Sequence, residues 1–238
     1  GNYIGTDVTG TVALTGGNTN GIRSDGVGMY TIGGTQPGEG NLISGNGYGI
    51  VVLGGSFSGV VMQGNLIGTD ASGTAPLGND TQAILGGVGL TIGGTEPGAR
   101  NVISGNSAGA QLSDRNQVQG NYIGLDVTGT NALGNIGPLG YGVQLSGSDN
   151  VVGGTEPEAR NVISANNYGV MVQGFGATRN AIQGNYIGTD ASGALARGNF
   201  AGVRLWESGN LVGGAGPGEG NLISANFYGI ELLSNATG

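Results

Sequence analysis

The chain has no cysteine, no histidine and no lysine, so its basic residues are seven arginines. Without cysteine there is neither a disulfide framework nor a thiolate metal site, and no thiol from which to read a redox compartment. The arginines form no run and the formal net charge is −8. That argues against nucleic acid as a partner, since phosphate binding needs a clustered basic surface. No apolar run approaches the ~20 residues of a membrane-spanning helix, so membrane insertion is not expected. Proline numbers only six and the abundant glycine follows no triplet period, which excludes a collagen-like chain. No leader is visible, and the first residue already lies inside a repeat, as expected of a segment cut from something longer.

What the chain does have is 56 glycines among 238 residues. Glycine at that level means regular tight turns or disorder. The apolar residues recur on a schedule that can build a core, so turns are the better reading.

The schedule is set by an Asn-x-Ile unit. It opens the chain as GNYIG and returns as GNLIG from Gly64 and GNYIG from Gly120 and Gly184, with NLIS or NVIS units between them. Its asparagines are Asn2, Asn41, Asn65, Asn101, Asn121, Asn161, Asn185 and Asn221. Short and long laps alternate, from 20 residues between Asn101 and Asn121 to 40 between Asn121 and Asn161. Other landmarks keep a 60-residue beat, with IGG at Ile32 and Ile92 and VGG at Val152 and Val212. A continuous repeat predicts one elongated domain over 1–238.

Each lap carries three short apolar alternations: Asn-x-Ile, a Gly-led stretch such as Gly169-Val170-Met171-Val172, and a third such as Asn180-Ala181-Ile182. Period-two alternation bounded by Gly and Asn is the mark of short strands, and no helical period is sustained. Three strands per lap predict an all-β parallel β-helix, a solenoid of about eight coils. Ile4, Ile43, Ile67, Ile103, Ile123, Ile163, Ile187 and Ile223 are then expected to point inward as one column. The eight asparagines are expected to stack as a ladder, because an amide both donates and accepts.

The GN-x-I-G and N-x-I-S units, with the Gly-led strands, cover essentially the whole chain. They resemble the right-handed parallel β-helix, the pectate-lyase-like family, and within it the Gly/Asn-rich repeats of bacterial secreted and surface proteins. The resemblance implies a right-handed coil and an extracellular or cell-surface location. It does not fix an activity, since the fold hosts lyases, hydrolases, esterases, tailspikes and adhesins. The family's lyases use clustered Asp around Ca²⁺ with an Arg or Lys base, and its polygalacturonases use close Asp with His and an Arg-x-Lys element. With no His, no Lys and no Asp-Asp pair, most of that machinery is missing here.

Asp7, Asp70, Asp126 and Asp190, in DVTG and DASG, form the most regular acidic set. Lying on alternate laps, about 10 Å apart, they are too separated to share one Ca²⁺. They are expected to close turns by accepting backbone N–H bonds. Beside the inward Ile column, Tyr3, Leu42, Leu66, Val102, Tyr122, Val162, Tyr186 and Leu222 make an outward apolar stripe. It either binds something or is covered by apolar residues of the long loops, such as Val12, Leu14, Leu77, Ala132 and Leu133.

Tyr48, Tyr141, Tyr168 and Tyr228 share one position ahead of the second strand, where aromatic faces form either a sugar platform or a structural ladder. Trp206, the single tryptophan, is expected to point outward, and Arg204 and Glu231 to pair across adjacent laps. These four tyrosines and Trp206 are the candidate ligand contacts; no catalytic residue, metal site or cofactor is assigned. Polysaccharide is the candidate partner. The ends expose open strand edges, so continuation into further repeats or end-to-end self-association is expected. The function expected is that of a non-catalytic rigid segment: a stalk, an adhesin-like or a carbohydrate-contacting module. Its rivals are a polysaccharide lyase or hydrolase with a site in the long-lap loops, and an engineered or environmental repeat scaffold without a ligand.

Overall fold

The computed structural model describes residues 1–25, 28–54 and 59–233. The SNATG segment at 234–238, where the repeat expects a further strand, lies outside the described residues.

Every turn of the chain gives one strand to each of three parallel sheets. The first sheet takes the two-residue Asn-x-Ile strands, from Tyr3–Ile4 to Leu222–Ile223. The second takes five-residue strands from Asn20–Ser24 to Tyr228–Leu232, and the third takes shorter ones from Thr31–Gly33 to Leu211–Val212. The sheets hold eight, eight and seven strands. The result is a parallel β-solenoid of seven complete turns followed by two strands of another, slightly fewer than the eight coils the Asn-x-Ile count predicts. That count marks first-sheet strands, and the eighth is followed by no described third-sheet strand. Among the described residues the one helical element is the 3-10 turn Pro157–Ala159.

Register is fixed by what faces inward, because a slip of one residue would turn each apolar column to solvent. Ile4 pairs with Ile43, Ile43 with Ile67, and so on through Ile103, Ile123, Ile163 and Ile187 to Ile223. Ile43 through Ile187 are wholly buried, while Ile4 and Ile223 are partly buried and pack against the same core. Two further columns complete it: Ile50, Ile84, Ala110, Val143, Val170 and Val203 from the second sheet, and Met62, Ile92, Val118, Val152 and Ile182 from the third. Each fully buried Ile contributes on the order of 1.5–3 kcal/mol.

The strands stay short because the coil must bend three times per lap. Gly124, which closes its Asn-x-Ile strand, sits at φ +87°, and a Cβ there would collide with the Ser164 carbonyl. Glycine is the residue that takes that angle and that close approach without strain.

Candidate functional site

The recurrent asparagines are hydrogen-bonded to one another along the rod. Each Nδ2 donates to the Oδ1 of the next, from Asn2 to Asn41 and on to Asn221, at 2.9–3.1 Å. Each Oδ1 also accepts the backbone N–H of the preceding ladder member, as Asn121 Oδ1 does from Asn101 N at 3.1 Å. The second amide proton goes to a carbonyl of the third sheet, for instance from Asn121 to Ile92 at 2.8 Å. The amides of the inner rungs are thereby saturated, leaving them no capacity for a ligand.

Two more ladders are not evident from the repeat. One joins Asn18, Asn46, Asn79, Asn106, Asn135, Asn166, Asn199 and Asn226 where the first sheet gives way to the second. The other joins Asn116, Asn150, Asn180 and Asn210 ahead of the third sheet. Each bend of the coil therefore has its own amide column. The signal available in the sequence was the residue before the Asn, which takes a left-handed angle in Gly45, Gly105, Ala165 and Ala225 for one ladder and in Arg115, Asp149, Arg179 and Gly209 for the other.

The Asn-x-Ile-Ser and Asn-x-Ile-Gly versions have a physical division of labour. On short laps Ser44, Ser104 and Ser164 donate through Oγ to Thr69, Leu125 and Thr189 carbonyls at 2.6–2.7 Å. The same oxygens accept the N–H of Gly68, Gly124 and Gly188. Each serine thus pins the start of the long loop on the next lap.

Those long loops are the Asp-led ones, and their carboxylates do close turns. Asp70 Oδ1 accepts from Thr74 and Ala75 N–H at 3.0 and 3.1 Å, and Ser72 Oγ donates to both carboxylate oxygens. Asp7, Asp126 and Asp190 repeat the arrangement. All four carboxyls titrate below their ordinary 3.8. The Thr9 hydroxyl dominates at Asp7 and the Leu195 N–H at Asp190. At Asp70 and Asp126 burial is the largest influence and acts upward, but the hydroxyl and N–H donors together outweigh it. Among the described residues no three His, Cys, Asp or Glu gather as a metal ion would need.

The loops also bond to one another across the intervening short lap: Ala71 N–H to Gly10 O, Val127 to Gly73 and Ala191 to Gly129, at 2.8–2.9 Å. They roof part of the outward stripe. Leu42, Val102 and Val162 are only 3% exposed. The cover differs from the one expected, since Val12 and Leu14 are themselves half-exposed. It is the loop backbone that lies on the stripe: a Cβ at Gly10 would stand 2.8 Å from Leu42 and 3.0 Å from Tyr3.

What stays open is a groove between these loops and the Pro-containing turns that precede each Asn-x-Ile-Ser strand. Two adjoining stretches, of about 410 and 460 Å³, share Gly64, Leu66 and Gly98. The first lies between Tyr3 and Leu66 under Pro37; the second reaches Val102, Glu96, Glu158 and Arg100. Two arginines then lie across the strip. The Arg100 guanidinium stacks on Tyr122 at 4.0 Å and its Nε donates to Gly120 O at 3.0 Å. Arg160 does the same over Tyr186, at 4.2 Å, with Gly184 O.

The tyrosines ahead of the second strand do not share one environment. Tyr141 is fully buried with Ala108 and Met171, and its hydroxyl accepts from Gln82 Nε2 at 2.6 Å. Burial pushes its phenol pKa up. With no exposed face it offers no platform. Tyr48 and Tyr168 are half-buried and Tyr228 is 43% exposed. Tyr168 and Tyr228 join Phe200 and Phe227, which the sequence reading passed over. The Phe200 and Phe227 rings stack at 5.2 Å, and both meet Tyr228 edge-on. Beside them Arg204 lies 4.8 Å from the Tyr168 ring and 5.3 Å from Trp206. Arg204 and Glu231 do pair across register, with Nε 3.0 Å from Oε2 as a charge contact rather than a hydrogen bond. Trp206 Nε1 has no hydrogen-bond partner. No protein-family model, curated protein or solved structure matches the chain.

Proposed function

We propose that the chain is a rigid, non-catalytic segment of a secreted or cell-surface protein, a right-handed β-helix of the pectate-lyase-like kind that touches carbohydrate along one aromatic edge. The observation that carries this reading is where the repeated polar residues go. Ladder asparagines, short-lap serines and loop aspartates are bound into the scaffold's own hydrogen bonds, so the motif serves the rod. Tyr168, Phe200, Trp206, Phe227 and Tyr228 instead gather on one side with a cation, a grouping whose flat faces suit sugar rings. Tyr48 remains a weaker candidate, and Tyr141 drops out through burial.

A second reading, a polysaccharide hydrolase or lyase, has one observation in its favour: Glu96, Glu158 and Arg100 line the same open cleft. Paired carboxylates are the usual equipment for glycosidic cleavage. One experiment separates the two. The chain is incubated with neutral and uronate polysaccharides, with and without Ca²⁺, and followed for binding, for new reducing ends and for unsaturated products. Retention without turnover, weakened by Trp206→Ala or Phe200→Ala, is the expected result. Turnover lost in Glu158→Gln would establish the enzyme instead.

A further inference from the structure

We propose that the groove stretch between Tyr3 and Leu66 is a binding subsite for an uncharged saccharide, and that the equivalent stretch one repeat on, lined by Glu96, Arg100 and Glu158, is set apart from it by charge. It rests on the carbohydrate reading above for its ligand class but places that ligand away from the aromatic edge.

The argument comes from comparing equivalent levels of the repeat. The turn before each 60-residue milestone ends in Glu39-Gly40, Ala99-Arg100, Ala159-Arg160 or Glu219-Gly220. In the Ala-Arg version the alanine is buried, and the arginine crosses to a tyrosine on the following lap, Tyr122 or Tyr186. In the Glu-Gly version the carboxylate folds back on its own turn, Glu39 Oε2 accepting the Gln36 N–H at 2.9 Å. The residue on the following lap is then Leu66 in place of tyrosine, and no side chain crosses. Arginine thus goes with tyrosine and glycine with leucine, so the stretch at Leu66 is the uncharged counterpart of the one at Arg100, where Glu96 and Glu158 stand in place of Gln36 and Gly98.

The chemistry of the opening selects its occupant. Tyr3, 52% exposed, together with Leu66 and exposed Pro37, gives flat apolar faces. The rim consists of Thr35, Gln36 and the backbone of Gly34, Gly38 and Gly40, with no charged side chain among the lining residues. Apolar faces ringed by neutral donors and acceptors match a pyranose, whose C–H face is apolar and whose edge is hydroxyl. The charges nearest the rim are already engaged, Glu39 with the Gln36 N–H and the Gly1 ammonium with Gly38 O. The volume, about 410 Å³, falls in the usual range for small-ligand sites.

The test uses the full chain with cellohexaose and mannohexaose as neutral probes and hexagalacturonate as the charged one, by calorimetry and by NMR shifts of Tyr3 and Leu66. One variant imports the charged version, Gln36→Glu, Glu39→Ala, Gly40→Arg and Leu66→Tyr. The two turns are equal in length, but a Cβ at Gly40 would collide with the Gly64 carbonyl, so the graft requires this turn to shift onto the path taken at Arg100. Tyr3→Ala is a second, milder variant should that graft not fold, and Trp206→Ala reports on the aromatic edge. We expect a neutral probe to shift Tyr3 and Leu66, with affinity at this stretch falling at least ~10-fold in the graft and in Tyr3→Ala, while Trp206→Ala weakens retention at the aromatic edge and leaves the Tyr3 and Leu66 shifts in place. Tighter binding of hexagalacturonate at this stretch overturns the proposal, as does absence of any neutral-probe shift at Tyr3. If Trp206→Ala alone abolishes binding, the aromatic edge stands and the groove subsite falls.

Discussion

At the residue before Asn46, Asn106, Asn166 and Asn226 the backbone turns left-handed, and the chain meets that demand unequally. Gly45 and Gly105 take the angle freely, but Ala165 at φ 60° and Ala225 at φ 61° occupy the same position with a Cβ. A left-handed alanine costs roughly 1–2 kcal/mol, partly offset because glycine loses more freedom on folding. Ala165→Gly is therefore expected to raise stability by up to about 1 kcal/mol, measured by denaturant unfolding with an unchanged m-value. A loss of stability would mean that the Ala165 methyl packs better than its angle suggests. Asn135 tests the ladder itself. Its removal orphans the Asn106 N–H and takes one bond each from Asn106 Nδ2, which keeps the Ile67 and Ser104 carbonyls, and from Asn166 Oδ1, which keeps the backbone N–H of residue 135. An orphaned buried group costs about 1–3 kcal/mol, so Asn135→Ala should destabilise by at least about that much in the same measurement. The Asn-x-Ile ladder was legible because isoleucine and a flanking glycine repeat around it. The Asn135 ladder was not, because the residues after its members vary from Gly47 and Asp80 to Ser107 and Phe200, and the glycine or alanine before each does not stand out in a chain of 56 glycines.

At the scale of the element, the Asp-led loop was readable as a turn from its carboxylate and glycine, whereas its contact with the next such loop was not. That contact needs the intervening lap to be short, a matter of three-dimensional reach that spacing alone does not express. The same blindness hid the two arginine–tyrosine stacks, whose partners come from different laps. The loop's carboxylates make its stability pH-dependent. Their folded pKa values lie below the ordinary 3.8, so the folded state binds fewer protons than the unfolded one as pH falls toward that range. The stabilisation is complete above about pH 5 and is lost as pH drops through the lowered folded values. The melting temperature is accordingly expected to stay level from about pH 7 to 5 and to decline below about pH 4. Asp126→Asn keeps an acceptor oxygen but does not titrate there, so it should lower the neutral-pH melting point and flatten the acid decline. An identical acid decline in that variant would assign the effect to other carboxyls.

For the whole molecule, the sequence pattern conveyed the three-strand lap, the isoleucine column and its register, because burial on one side of a parallel stack forces periodicity. It overstated the turns by about one, and it left open which surface is roofed, since roofing depends on loop backbone such as Gly10 and not on apolar side chains. The solenoid also dictates how damage spreads. Ile103 is wholly buried between Ile67 and Ile123, in the middle of the rod. Ile103→Ala should cost about 2–5 kcal/mol, and Ile103→Asp more, since it buries an unpaired charge. Each lap rests only on its neighbours, so the loss of amide protection should centre on the strands at Ile67, Ile103 and Ile123 and weaken outward. Ile223, half-buried on the last described turn, gives the contrast. Ile223→Asp should release protection near Tyr186 and Leu222 while the middle laps keep theirs. Native-state hydrogen exchange on both variants decides the matter. A uniform loss along all laps in Ile103→Ala would mean the rod unfolds as one cooperative unit, and an unchanged melting curve for Ile103→Asp would mean the isoleucine column is not what holds the coil.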